Sequence, residues 1–557
     1  MEVYTYAREE NCMQSGTTIS EYLIKQLYDH GVRHIFGIPG DYSLSFIDLL
    51  QHGPIKFINT SDEQGAGFAA EGYARVAGLG AVSVTYAVGS LKVANATAQA
   101  YAERSPVVVI CGSPGLKERV RHPLLHHRVN SFETQLDIFR QLTVATATLH
   151  DAETACAEID RVLHAAERHK RPVYIELPRD MVPELCRPGH AHIDEPEISD
   201  EGALAESLAE TAEMLNKAKQ PVIIAGVELM RFGQFEPVVR FAEEHGIPIA
   251  TTLQSKSAVR EDIPLFIGLY AGAVGPEETR RYVESSDCQL LLGAQLTDME
   301  LGMFTAHYDR DRTILVNSGG VTIRHHSYDV RMPHFLAGLP EIVPNGRVNG
   351  ELPPLFVPEH FRPHHGEPIS VSRLIGCLNG ALTRDMVVVA DVGDSLFGSL
   401  DLRIPAAGGF ISGVYYSNMG FAVPAAAGAQ LANPRLRPLV LVGDGAFQMT
   451  GMELSTAARY GLSPIVIVLN NDGYMTERFF MDGPYNDIQP WKFSRLPELI
   501  GAGLGFDVHT EDDLSRALAI ARDNVGSFSI LDVHVKDGDV SDRLRQLGES
   551  FGKTVRG

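Results

Sequence analysis

Short, mainly apolar runs alternate with stretches of helical periodicity along almost the whole chain, and nothing else restricts its fold as strongly. Ala81–Val88, Val107–Cys111, Val173–Leu177, Pro221–Ala225, Cys288–Gly293, Met386–Val392, Pro438–Val442 and Pro464–Leu469 are such runs. Ser20–His30 and Gln64–Gly78 show the helical pattern between them. Strands buried on both faces and joined by helices build open, mostly parallel sheets, so the chain reads as α/β. Its 557 residues, at about 150 per domain, allow three or four domains. A polar stretch at 189–202 and a proline-rich one at 345–368 divide the runs into three blocks. The expected domains are 15–188, 203–345 and 368–540, with a charged tail at 541–557.

Composition excludes several roles. Lys plus Arg number 48 against 70 for Asp plus Glu, a formal charge of −22. Such a surface is repelled by nucleic acid phosphates and by anionic membranes. No apolar run reaches the eighteen or so residues of a membrane span, and Met1–Gln14 lacks the basic start and apolar core of a signal peptide. Six scattered cysteines without a C-x-x-C pair indicate neither a disulfide framework nor a zinc site. The expectation is a soluble, cytoplasmic protein without nucleic acid or membrane partners.

The most informative segment runs from Val442-Gly-Asp-Gly-Ala446 to Asn470-Asn-Asp-Gly473. An apolar strand ends in Gly443-Asp444-Gly445, a helical stretch follows, and a second strand ends in Asn470-Asn471. In a parallel sheet both strand ends lie on the same edge, where ligands bind. Asp444 and Asn471 are 27 positions apart, about one strand–helix–strand crossover. The Asp444 carboxylate, the Asn471 amide oxygen and the Gly473 carbonyl would offer three oxygens to one hard cation such as Mg²⁺. Gly445 and Ala446, opening a helix, can present N–H groups to a diphosphate. As isolated features, Gly-Asp-Gly is a turn and Asn-Asn-Asp-Gly a bend; together, each behind an apolar strand, they favour a metal–diphosphate site.

This pair matches the thiamine diphosphate fingerprint, and the chain resembles the thiamine diphosphate-dependent 2-oxo acid decarboxylases of the pyruvate, indolepyruvate and phenylpyruvate type. The resemblance spans nearly the whole chain and implies pyrimidine-binding, middle and diphosphate-binding domains in that order. It places Met419, in Ser417-Asn-Met-Gly420, under the cofactor as the bulky residue that bends it. It extends the cofactor contacts to Asp394, Ser395, Ser417, Gly443 and Tyr474. Ser61-Asp-Glu63 opens a helix ending in Glu71-Gly-Tyr-Ala-Arg75 and matches the family's activating-glutamate segment. Glu63 is thereby the carboxylate that activates the cofactor's pyrimidine ring; without the resemblance it would be a first-turn acid favoured by the helix dipole. Asp41 in Gly37-Ile-Pro-Gly-Asp41, the pair His126-His127, and Glu477 stand where the family carries proton-transfer groups. The resemblance puts Glu477 near the leaving carboxylate in a buried pocket.

Some residues depart from the family pattern. His127 is followed by Arg128-Val-Asn-Ser-Phe, closer to acetohydroxyacid synthases, and Thr476 replaces an apolar residue before Glu477. Phe480, three positions after Glu477, would narrow the pocket. Lys117–Arg128 reads as a charged loop near the site that could offset the acidic surface for an anionic substrate. The middle block has no motif of its own, and Gly501-Ala-Gly-Leu-Gly505 lacks the context of a dinucleotide loop. The resemblance implies non-oxidative decarboxylation of a 2-oxo acid to an aldehyde and CO₂ through a thiamine diphosphate enamine. The alternatives are a carboligase of the same cofactor class, and a non-catalytic relative that the intact Glu63, Asp444 and Asn471 set argues against. It also implies a homodimer or homotetramer in which two chains share each site.

Overall fold

The computed structural model of the chain describes residues 16–187, 198–342, 352–355, 360–536 and 538–555. The first fifteen residues and parts of both expected linkers, 189–202 and 345–368, lie outside the described residues.

Three open sheets organise the chain. In the first, six parallel strands lie in the order Lys56–Asn59, His34–Gly37, Gly80–Val84, Val107–Ser113, Val173–Pro178, Thr146–Thr148. In the third, the order is Phe410–Ser412, Met386–Ala390, Arg437–Gly443, Ile465–Asn470, Ser529–His534, Leu504–Val508, again all parallel. Numbered in chain order within each sheet, both read 2-1-3-4-6-5, so one topology is built twice. Strand order reverses between the first and third strands of each, and that crevice is where such sheets bind ligands.

The middle sheet has five parallel strands extended by the antiparallel pair Gly320–Ile323 and His326–Tyr328. Its own crevice, between Pro221–Ala225 and Cys288–Leu292, is filled by protein. A Cβ on Gly226 would fall on the Ala294 backbone. The buried Glu228 carboxylate there accepts from Ser318 N at 2.6 Å and pairs with Arg104 at 2.9 Å.

The first and third units meet through two helices, Glu63–Ala77 and Ala422–Ala432, whose facing residues are small. A Cβ on Gly72 would strike the Ala425 backbone, and one on Gly428 the Ala69 carbonyl. The backbones touch because neither glycine has a side chain. Buried Glu453 adds polar links, accepting from Ser61 N and Asp62 N at 3.0 Å each. Gly428→Ala is expected to destabilise the protein by about 1–3 kcal/mol, because backbone cannot move aside as a side chain can. Calorimetry checks this, and an unchanged unfolding temperature would contradict the packing.

The segment expected as a charged tail forms the helix Asp542–Val555. Leu544 and Leu547, one turn apart on this helix, are buried, as is Val540 just before it, so the helix docks by an apolar edge. The five described cysteines are free and buried, and no helix among the described residues is long and apolar enough to cross a membrane.

Candidate active site

The strands Arg437–Gly443 and Ile465–Asn470 are neighbours, with Gly443 opposite Leu469, so Asp444 and Asn471 leave the same sheet edge side by side. Backbone N–H groups converge on the Asp444 carboxylate: Gly445 at 2.7 Å, and Asn471 and Gly473 at 3.1 Å each. Burial outweighs those donors and pushes the Asp444 carboxyl up to about 6. Asn471 Oδ1 is buried without a partner, as is Ser395 Oγ. Gly473 sits at φ 145°, and a Cβ there would meet the Asn486 carbonyl, so only glycine closes this turn. An ionisable carboxylate and an unpaired amide oxygen on adjacent strand ends fit the ligand chemistry of a hard cation.

These residues line a cavity of about 530 Å³. Asp394, Ser395, Ser417, Met419, Gly443, Asp444, Gly445, Ala446, Asn471, Gly473, Tyr474 and Glu477 all reach it. Thr476 and Phe480 lie on the same wall. Asp394 also has a structural partner: its carboxylate accepts from Ser541 N at 2.9 Å and from Ser541 Oγ, which anchors the last helix. Burial pushes Asp394 up to about 6.

Two buried acids fix the loop that carries Met419. The Asp391 oxygens accept from Gly420 N at 3.1 Å and Ala422 N at 2.9 Å, on the far side of Met419. Burial raises Asp391 to about 6. On the near side, Glu103 accepts from Tyr415 N at 2.6 Å and Tyr416 N at 2.9 Å. Glu103 is in turn 3.7 Å from Arg75, which pairs with Glu71 at 2.5 Å. Ser417 occupies left-handed backbone, φ 56°. The 415–422 loop is thus held from the first unit and from its own sheet.

The other expected residues gather elsewhere. Asp41 follows strand His34–Gly37, Glu63 follows Lys56–Asn59, and the histidines follow Val107–Ser113, so all stand at the carboxyl edge of the first sheet. Asp41 Oδ2 lies 2.7 Å from His126 Nε2. The His126 ring stacks on Tyr42, centroids 4.8 Å apart, and meets His127 edge-on at 4.7 Å. His127 is held at φ 65°. Glu63 opens the helix Glu63–Ala77 and pairs with Lys92 at 2.8 Å, while Lys92 also binds the helix cap Asp62.

Among the described residues, none from the first unit lines the cavity of the third. One chain therefore brings the cradle residues and Glu477 together, and separately brings Asp41, His126 and His127 together, but leaves the two groups apart. Glu477 is exposed in the single chain, contrary to the buried setting expected for it. The charged loop is also different from expectation: Arg119 turns inward to buried Glu176 at 2.9 Å, and Arg128 donates to the carbonyls of His122 and Pro123.

Sequence reasoning missed several neighbours of the site. Asp298, Met299 and Met303 of the middle unit and Leu547 of the last helix line the cavity. Arg179 binds Glu118 at 2.9 Å and lies 3.9 Å from Asp41. Asp298 and Met299 carry no local sequence signal that could have found them.

Comparison with known proteins follows the same division. Residues 17–138 match the family model of the thiamine pyrophosphate enzyme N-terminal TPP binding domain, 208–334 its central domain, and 391–533 its C-terminal TPP binding domain. The indole-3-pyruvate decarboxylase of Azospirillum brasilense is 37% identical over 538 residues, covering 95% of this chain and 97% of that protein. The alpha-keto-acid decarboxylase of Mycobacterium tuberculosis (strain ATCC 25618 / H37Rv) is 34% identical over 553 residues, covering 98% and 99%. That of Mycobacterium leprae (strain TN) is 34% identical over 547 residues, covering 95% of each.

Proposed function

Given that this chain belongs to the thiamine pyrophosphate enzymes and is a thiamine diphosphate-dependent 2-oxo acid decarboxylase, we propose that the cavity of its third unit holds the cofactor diphosphate through Mg²⁺. Asp444, Asn471 and the Gly473 carbonyl are the protein ligands of the cation. The pairing of Asp444 with the unpartnered Asn471 Oδ1 on adjacent strand ends carries this reading. Gly445 and Ala446 N–H groups and Ser395 face the diphosphate, and Met419 supports the middle of the cofactor.

When bound, thiamine diphosphate supplies the electron sink that accepts the electron pair released as CO₂ leaves. The chain's own residues position the substrate and move protons. Glu63 is the carboxylate that takes a hydrogen bond from the pyrimidine ring. The Asp41 Oδ2–His126 Nε2 contact of 2.7 Å is short enough to pass a proton between the two groups, with His127 beside them. Glu477 meets the substrate at the cavity mouth. Because its wall among the described residues includes none from the first unit, the site is completed by Asp41, Glu63, His126 and His127 of a second chain, in a homodimer or a pair of dimers. Closing the mouth this way buries Glu477 and excludes water from the reacting groups.

The substrate class proposed is an aryl or branched 2-oxo acid. Met299, Met303, Phe480 and Leu547 offer apolar wall for its side chain, and the Azospirillum relative is named for indole-3-pyruvate. The test supplies cofactor and Mg²⁺, offers pyruvate, 2-oxoisovalerate, phenylpyruvate and indolepyruvate, and measures CO₂, aldehyde and hydroxyketone separately. Aldehyde from the bulky substrates is expected; hydroxyketone as main product from every substrate would refute the assignment. Glu477→Gln is expected to lower kcat by about 100-fold or more while cofactor affinity holds. A defect confined to cofactor binding would contradict its role. Light scattering on the active enzyme tests the shared site, and an active monomer would overturn it.

A further inference from the structure

Outside these two groups, one other cluster of metal-ligating side chains stands among the described residues, and no part of the proposed mechanism uses it. Asp507 lies in the edge strand Leu504–Val508, His509 follows that strand, and His534 ends the neighbouring strand Ser529–His534. Nε2 of His534 and Nε2 of His509 lie 2.9 Å and 3.1 Å from the same oxygen, Oδ1 of Asp507. The two imidazoles are stacked, with centroids 4.1 Å apart and planes 8° from parallel, and the ligand atoms of all three side chains lie within 4.8 Å of one another. Because the ring lone pairs are in-plane, a shared metal requires one exposed ring to turn out of the stack.

Those separations resemble the spacing of ligands around a metal. Bonds of about 2.0–2.1 Å in a tetrahedral zinc site place neighbouring ligand atoms about 3.3 Å apart. Asp532, 2% exposed, stands behind the cluster with Oδ1 at 3.8 Å from His534 Nε2. Asn470 Nδ2 donates to that Oδ1 at 2.9 Å, which fixes the carboxylate in place. The side chains of Asp507, His509 and His534 are 60%, 57% and 37% exposed, which leaves an entry path from solvent.

We propose that Asp507, His509 and His534 form a binding site for a divalent transition metal of the zinc class, backed by the buried Asp532. Two imidazoles and a carboxylate select zinc, cobalt, nickel or copper over Mg²⁺, which prefers oxygen ligands. The site is thus chemically distinct from the all-oxygen set at Asp444 and Asn471. It would also tie the edge of the sheet to its interior. His534 is the register partner of Asn470, and Val535 N donates to Asn470 O at 3.2 Å. A metal here clips the edge strand to the strand next to the cofactor turn.

The experiment uses the full-length protein, stripped with chelator and then saturated with thiamine diphosphate and excess Mg²⁺. Co²⁺ is titrated by calorimetry and by its visible d–d bands. One Co²⁺ per chain is expected, displaceable by Zn²⁺, with affinity lowered at least about 100-fold in His509→Ala and in His534→Ala. Asp507→Asn, a milder change, should weaken binding while leaving the unfolding temperature of the metal-free protein unaltered. His126→Ala should bind as wild type does. Absence of binding, or binding that survives both histidine substitutions, would overturn the proposal. X-ray absorption on the wild-type Co²⁺ complex should show two imidazole ligands, and a shell with none would overturn it without recourse to any variant.

Discussion

Glu63→Gln is expected to reduce kcat by about 1000-fold or more. Gln keeps the size and the acceptor oxygen of Glu but loses the charge that draws a proton onto the pyrimidine ring. The fold should tolerate the change. Glu63 is the first residue of its helix, capped by the Asp62 side chain, which accepts from Gln64 N at 2.8 Å. Lys92 keeps its ion pair with Asp62 when Glu63 is neutral. The variant should therefore unfold at the wild-type temperature and bind cofactor nearly as well. Steady-state turnover with saturating cofactor is the measurement, and kcat within about tenfold of wild type would refute the role of Glu63.

Asp444→Asn is expected to weaken Mg²⁺-dependent cofactor binding by at least about 100-fold. Asn removes the anionic ligand and sets an N–H₂ against the backbone donors of Gly445, Asn471 and Gly473. In the cofactor-free chain the Asp444 pKa is raised from 3.8 to about 6 by burial. A raised carboxyl binds its proton more tightly in the folded chain, so its contribution to stability is complete below pH 3.8 and is lost as pH rises through about 6. Above that pH the buried anion is a cost to the free protein, and a bound cation offsets it. Wild-type cofactor affinity should accordingly fall as pH drops below about 6, and Asp444→Asn should flatten that dependence. Calorimetric titration of cofactor with Mg²⁺ between pH 5 and pH 8, about one unit below that value and two above it, checks both. A variant with wild-type affinity at pH 8 would remove Asp444 from the cradle.

The two predictions rest on residues that local sequence makes conspicuous to different degrees. Asp444 and Asn471 are separated by one crossover, and each follows an apolar strand, so pattern alone brings them to one edge. Glu63 needed the family likeness, because a first-turn acid has a sufficient reason to exist in helix electrostatics. The residues around them were less visible. Met299 and Met303 reach the cavity from the middle unit, and Leu547 from the last helix, through docking that has no local signature. Asp391 and Glu103 hold one loop from opposite sides although 288 positions separate them (391 − 103). The docking of the last helix is hard to read from sequence because only Leu544 and Leu547 stand buried among its many charges.

Taken by itself, the order of residues determined the α/β class and brought Asp444 and Asn471 to one sheet edge, because strand burial and turn chemistry act over a few neighbouring positions, and the family likeness added the cofactor class. Tertiary structure alone decided that the first and third sheets share the order 2-1-3-4-6-5. It alone closed the crevice of the middle unit, and it alone separated Glu63, Asp41 and the histidines from the cavity they are proposed to serve. Those outcomes depend on backbone contacts such as Gly428 against Ala69 and on side-chain contacts such as Asp41 with His126. Contacts of that kind join positions far apart in the chain, where neither periodicity nor spacing carries information.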